Sequence, residues 1–147
     1  MEIERKFLIK NLPDLTPYEY HSIEQAYLCT EPVVRIRKED DNYYLTYKSK
    51  GFLKREEYNL PLTKDSYTHL LSKADGNIIT KKRYLIPYLK HTIELDIFEG
   101  VFEGTILAEV EFDSTGEANN FQVPEWFSED VTYEKEYHNS HMSMKVF

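Results

Sequence analysis

A single cysteine, Cys29, is present in the 147-residue sequence. That excludes a disulfide within the chain and fits a reducing, cytoplasmic setting. No histidine stands in a recognisable partner arrangement with it, so Cys29 reads as a small strand hydrophobe, not a nucleophile. Apolar runs are short: none nears the roughly 20 residues that cross a bilayer, and the opening residues are acidic where a secretory signal is basic and then apolar. The five histidines lack the spacing of a helical zinc site, His138 and His141 being the only close pair. An excess of positive charge is missing as well. The formal net charge is −8, which repels phosphate backbones and argues against a nucleic-acid partner. Repeats, low-complexity segments and linkers are also missing, so residues 1–147 read as one domain.

What is present is a folded protein's composition, 41% hydrophobic and 30% charged, patterned mostly with period two. Eight strand-like stretches stand out: "MEIERKFLI", "SIEQAYLCT", "PVVRIRKE", "YYLTYKSK", "KREEYNLPL", "IITKKRYLIPYL", "HTIELDIFE" and "TILAEVEFD". Short turn signals at Glu31-Pro32, at "EDDN" and at Gly51 make most of the connections antiparallel hairpins. The period changes in "LTKDSYTHLLSKADGN", where Tyr67, Leu70, Leu71 and Ala74 share a helical face. Thr63 as N-cap and Gly76 as stop predict a helix over about 64–75. "STGE" is a capping box that predicts a second short helix before Pro124. The fold class is α+β, mainly β. Eight antiparallel strands can close into a barrel with room for side chains or one small ligand, and an open sandwich is the alternative.

The alternation puts the charges on one face of strand after strand. Glu2, Glu4 and Lys6 oppose Ile3, Phe7 and Ile9. Arg35 and Arg37 oppose Val34 and Ile36. Lys48 and Lys50 oppose Leu45 and Tyr47, and Lys81 and Arg83 oppose Tyr84 and Ile86. Glu94 and Asp96 oppose Ile93 and Leu95, while Glu109 and Glu111 oppose Val110 and Phe112; Arg55 and Glu57 follow the pattern loosely. Any one such strand is an ordinary wet sheet face. Here, however, the charges are sorted, some strands basic and others acidic. Like charges gathered together are unfavourable unless something lies between them. A polyanion with a divalent cation reconciles the two sets, because carboxylates hold hard cations and Lys or Arg hold phosphate oxygens.

These stretches resemble the CYTH superfamily, the triphosphate tunnel metalloenzymes, which include inorganic triphosphatases, thiamine triphosphatases and class IV adenylyl cyclases. The resemblance rests on Glu2-Ile3-Glu4-Arg5-Lys6 as an E-x-E-x-K strand, on Arg35-Ile36-Arg37, "LTYKSKG", Arg55 with Glu57, and Lys81 with Arg83. Glu94-Leu95-Asp96, Glu109-Val110-Glu111 and "VTYEKEYHN" complete it. It implies an eight-stranded antiparallel barrel forming a tunnel, and hydrolysis of the terminal phosphate of a small triphosphate with Mg²⁺ or Mn²⁺. Glu2, Glu4, Glu94, Asp96, Glu109 and Glu111 would be the metal-side carboxylates. Lys6, Arg35, Arg37, Lys48, Lys50, Arg55, Lys81, Arg83 and Lys135 would hold the phosphates. Tyr27 and Lys48 match a Tyr–Lys pair proposed as the base arrangement in thiamine triphosphatases, and the resemblance implies a catalytic role for Glu4 as well. Glu136 stands where the family has Arg, and Glu134 where it has Asp. A short chain leaves little surface for a base or vitamin ring, which favours tripolyphosphate over thiamine triphosphate or ATP. A monomer or homodimer is expected, with no membrane partner. A polyphosphate- or nucleotide-binding module without catalysis is the non-enzymatic alternative.

Overall fold

The computed structural model describes residues 1–147. Its strands are β1 (Glu2–Ile9), β2 (Tyr20–Thr30), β3 (Val33–Glu39), β4 (Asn42–Lys48), β5 (Lys54–Arg55), β6 (Glu57–Pro61), β7 (Asp75–Tyr88), β8 (His91–Glu99), β9 (Ile106–Glu111) and β10 (Phe127–Asp130). Its α-helices are α1 (Lys64–Leu71), α2 (Thr115–Asn119) and α3 (Asn139–Ser143). None is long and apolar enough to cross a membrane.

The sheet runs β10-β1-β9-β8-β7-β2-β3-β4-β6, with β5 paired to β1. The predicted strand at "KREEYNLPL" is broken at Glu56 into β5 and β6, and the break closes the ring. While β6 stays on β4, β5 crosses to β1, with Glu2 opposite Arg55 and Ile3 opposite Lys54. Counting β5 and β6 as one wall strand gives a nearly closed antiparallel barrel of eight. β10 lies outside that ring, against the far end of β1.

The barrel buries its apolar side outward. Ile3, Phe7, Leu95, Ala108 and Val110 form one cluster with Ala118, Phe121 and Phe127 of the covering segments. Ile36 and Ala26 pack beneath Tyr67 of α1. Arg5 alone breaks the outer face of β1, and its guanidinium is satisfied by Asp130 at 2.8 Å and by the Ala118 carbonyl at 2.8 Å. With the hydrophobic surface used on the outside, the inner face is left to polar side chains.

Two local signals fell out differently. Thr63 caps α1, exchanging hydrogen bonds with Ser66 as a capping box, but the helix ends at Leu71, and Gly76 belongs to β7. At φ +72° a Cβ there would run into the carbonyl oxygen of Ser143. The glycine therefore serves a close approach by α3. Asn77 fixes the same contact, its amide donating to the carbonyls of Met142 at 3.3 Å and Lys145 at 2.8 Å. Because hairpin turns alternate ends, the β2–β3 and β4–β5 turns share one mouth with this C-terminal segment. The β3–β4 and β7–β8 turns form the other.

A charged tunnel as the candidate active site

The barrel encloses a cavity of about 290 Å³ lined by 22 residues, only three of them hydrophobic. Seven of the lining side chains are carboxylates and seven are Lys or Arg. All fourteen are on the faces that period-two alternation assigns inward, Glu39 continuing the run of Arg35 and Arg37 to the end of β3. Cross-strand register decides who meets whom. Lys6 is opposite Glu109, and Lys48 is opposite Glu57. Arg83 is opposite Asp96, and Glu4 is opposite Glu111.

One group of acids is taken up by cations. Asp96, buried and outside the cavity lining, meets Lys81 at 2.8 Å and Arg83 at 2.7 Å. Burial pushes its carboxyl up, but Arg83 and Lys81 outweigh burial and hold it below the usual range. Glu109 meets Lys6 at 3.1 Å and Arg83 at 2.7 Å, and these cations, again against burial, hold it well below normal. Glu94 takes a third bond from Arg83, at 3.2 Å. These carboxylates orient the basic wall. Arg83, ringed by three acids, stays firmly charged in spite of its burial.

The second group is Glu2, Glu4 and Glu111, each offering an oxygen within 4.8 Å of the others. Like charges directly opposite on neighbouring strands repel, and the Glu4–Glu111 pair has no cation set between it. Arg55 reaches Glu2 at 3.4 Å and Glu4 only at 3.9 Å. Burial and the nearby charge of Glu4 push Glu2 up to about 8, and it shares a proton with Glu57. Burial, with Glu94 and Glu4 nearby, pushes Glu111 up to about 7. Three hard oxygen donors with unbalanced charge are the donor set that a divalent cation such as Mg²⁺ prefers. The residues fit such an ion.

The basic wall is β3 with β7. Arg37 donates from Nε to Gln25 at 2.8 Å, and burial together with Arg35 and Arg83 makes its charge costly, pulling it down. Arg35 has only Thr46, at 3.1 Å, and its buried Nε has no partner. Lys81 donates to Asn139 at 2.9 Å; burial pulls its ammonium down to about 7 although Asp96 opposes that. Guanidinium and ammonium donors without full partners are set to receive an anion.

Not every predicted residue reaches the cavity. Lys50 is past the end of β4 and is 80% exposed, with only Glu31 at 3.8 Å. Lys135 is exposed in a 3₁₀ turn. Both line a second cavity at the mouth instead. Tyr27 is buried in the lining beside Gln25, whose amide lies 3.3 Å from its hydroxyl. Lys48 bonds to Glu2 at 3.1 Å and Glu57 at 3.3 Å, not to Tyr27. Sequence analysis passed over Gln25, Glu39, Asn59 and Asn139. Gln25 was findable, since it shares the inward alternation of Tyr27; Asn139 enters from the C-terminal segment, where no strand period points to it.

A barrel that turns seven cations and seven carboxylates onto one small cavity is a tunnel for a compact polyanion together with a cation. The chain belongs to the CYTH domain family, whose model matches residues 1–141. It is 36% identical to the inorganic triphosphatase of Nitrosomonas europaea, over 99% of this chain and 98% of that protein. It is 30% identical to the inorganic triphosphatase of Acetivibrio thermocellus, over 96% of this chain and 92% of that one. Among solved structures, a crystal structure of an inorganic triphosphatase superposes with a TM-score of 0.73 at 32% identity, covering 99% of this chain and 96% of its own.

Proposed function

We propose that this protein hydrolyses inorganic triphosphate to pyrophosphate and orthophosphate with Mg²⁺ or Mn²⁺. The observation that carries the proposal is the lining itself: a cavity of about 290 Å³ is at the lower edge of the roughly 300–1,000 Å³ usual for small-molecule sites. Its three hydrophobic members offer little to an adenine or thiazole ring, so an unadorned phosphate chain fits best. The full-length relatives named as inorganic triphosphatases support the same substrate.

Arg35, Arg37, Lys81 and Lys6 neutralise the non-bridging oxygens and fix the chain in line, which supplies most of what phosphoryl transfer needs from a protein. Glu2, Glu4 and Glu111 would hold a divalent cation, which when bound would supply further charge neutralisation and ease deprotonation of a water. Water adds to the terminal phosphorus, the bridging P–O bond breaks, and pyrophosphate leaves towards the basic wall. Lys48, held by Glu2 and Glu57, positions those carboxylates and faces the phosphates. Glu4 orients the attacking water, and Tyr27 packs against the substrate beside Arg35. Glu94 and Asp96 serve Arg83 and Lys81 in this scheme and not a second metal. The whole chain acts as one domain, as a monomer or homodimer, in the cytoplasm, without nucleic acid or membrane.

Phosphate release from tripolyphosphate, thiamine triphosphate and ATP, with Mg²⁺ or Mn²⁺, tests the proposal. Tripolyphosphate should lead by at least tenfold, and no release from any of the three ends the hydrolase reading. A Glu2→Ala, Glu4→Ala double variant separates enzyme from binding module, since an enzyme loses turnover while a binder keeps its affinity for the anion.

A further inference from the structure

Next to the tunnel, at the mouth formed by the β2–β3 turn, the β4–β5 turn and the C-terminal segment, is a second cavity of about 460 Å³. Val33, Arg55, His138 and Ser140 line both spaces, so the two adjoin. Its charged lining is Lys50, Arg55 and Lys135 against the single acid Glu31, with His141 beside them. Lys50 and Glu31 stand 3.8 Å apart, 80% and 75% exposed, a loose pair that neutralises little. No ion pair engages Lys135. The opposite mouth has the reverse character: Glu94, Glu111, Asp113 and Glu117 stand there with Lys90 and His91. Of the tunnel's two ends, one is acidic and beside the Glu2–Glu4–Glu111 cluster, and the other is basic and spacious.

We propose that the basic mouth is a chain-extension site, in which Lys50 and Lys135 bind the phosphates of a linear inorganic polyphosphate beyond the three held in the tunnel. This rests on the proposed triphosphatase reading and deepens it. With the terminal phosphate at the acidic cluster, a longer chain has only this mouth to extend into, since the other end repels it. Only Val33, Phe52 and Met144 are hydrophobic among the 14 residues there, so the chemistry selects phosphate over a nucleobase. For a chain of n phosphates, water adds at the terminal phosphorus and the bridging P–O bond breaks. Orthophosphate and a chain of n − 1 phosphates leave, the latter through the basic mouth.

Isothermal titration in EDTA with triphosphate and with hexaphosphate gives a readout independent of turnover. Wild type should bind hexaphosphate more tightly than triphosphate, and a Lys50→Ala, Lys135→Ala variant should lose about tenfold of that preference. Equal wild-type affinity for the two chains, or a variant weakened equally towards both, overturns the proposal. Where hydrolysis occurs, kcat/KM for hexaphosphate relative to triphosphate should fall by the same factor. An absence of hydrolysis with the chain-length preference intact would count against the triphosphatase reading alone. ATP serves as the third ligand: a gain over triphosphate that the two lysines do not affect would place a nucleoside in the mouth and refute the polyphosphate assignment.

Discussion

Without a divalent cation, Glu2 should contribute a loss of stability as the pH rises from 4.5 to about 8, opposed up to pH 6.5 by His138, whose imidazole is pulled down by burial to about 4. The Glu2 carboxyl moves from an ordinary value of 4.5 to about 8 through burial and the neighbouring charge of Glu4. Glu57, which shares the proton, is pushed up by burial but held down to about 2 by that hydrogen bond and by Lys48. Between pH 4.5 and 8 the folded pair keeps one proton that the unfolded chain has released. The pair's contribution to stability then falls with rising pH, because the native state binds more protons. Between pH 2 and 4.5 the sign reverses: the unfolded pair holds two protons to the folded pair's one, and stability rises. At about 1.4 kcal/mol per pH unit, the interval from 4.5 to about 8 sets a ceiling of about 5 kcal/mol on the alkaline loss. Urea unfolding in EDTA across this window, for wild type and Glu2→Gln, isolates the contribution, since the amide is neutral at every pH. Above pH 6.5, where His138 no longer contributes, the variant's curve should be the flatter of the two. Added Mg²⁺ should stabilise wild type more at pH 8 than at pH 4.5 and should do little for Glu2→Gln. Parallel curves for the two proteins in EDTA would refute the assignment.

Three other substitutions probe separate parts of the site. Asp96→Asn leaves Lys81 and Arg83 in the interior without their shared counter-charge and should cost about 3–5 kcal/mol, read as a lower urea midpoint with an unchanged slope. Glu111→Gln removes a carboxylate that Glu94 and Glu4 repel, so stability in EDTA should be unchanged or higher, while the Mg²⁺ concentration needed for half-maximal phosphate release should rise about tenfold. Gly76→Ala meets the Ser143 carbonyl at φ +72° and should cost more than the roughly 1–2 kcal/mol of left-handed backbone strain alone, because α3 must also move. Hydrogen exchange should quicken at residues 139–143, and turnover should fall as Asn139 leaves Lys81.

The barrel was legible because its two faces differ in chemistry at nearly every strand, so period two alone sorts Glu4 from Ile3 and Arg37 from Ile36. Two residues outside the tunnel lining mark where that signal stops. Lys50 continues the alternation of Lys48 in sequence, but the ladder of β4 ends at Lys48, and beyond the last strand residue a side chain has no wall to point from. Lys135 matched a family segment in identity, whereas its 3₁₀ turn turns it outward to the mouth. Glu109 and Glu111 are the harder case, since both point to the same face in sequence. What separates them is their partners across the sheet: Glu109 has Lys6 opposite it, and Glu111 has Glu4. Register is a property of two strands, and one strand's sequence does not contain it.

That separation explains why only part of the tunnel's charge is consumed in salt bridges. Asp96, Glu109 and Glu57 are all held below the normal carboxylate range, each by a cation or a proton donor already beside it. Their negative charge is satisfied within the protein, and their role is to aim Lys81, Arg83, Lys6 and Lys48. Glu2, Glu94 and Glu111 are pushed up, burial being the leading cause in each. Glu94 still has Arg83 beside it, but at Glu2 and Glu111 the fold leaves negative charge incompletely compensated, and a proton fills the deficit until a cation arrives. Protons and divalent cations must then compete for Glu2 and Glu111, so metal affinity rises with pH through the interval from about 7 to about 8. The same cation that relieves the carboxylates brings in the charge that lets a polyanion bind opposite it. Metal and phosphate should therefore bind with positive coupling, each tightening the other's affinity by the same factor. Titrating Mg²⁺ with and without the product pyrophosphate measures that factor, and a value of one would separate the acidic cluster from the phosphate site altogether.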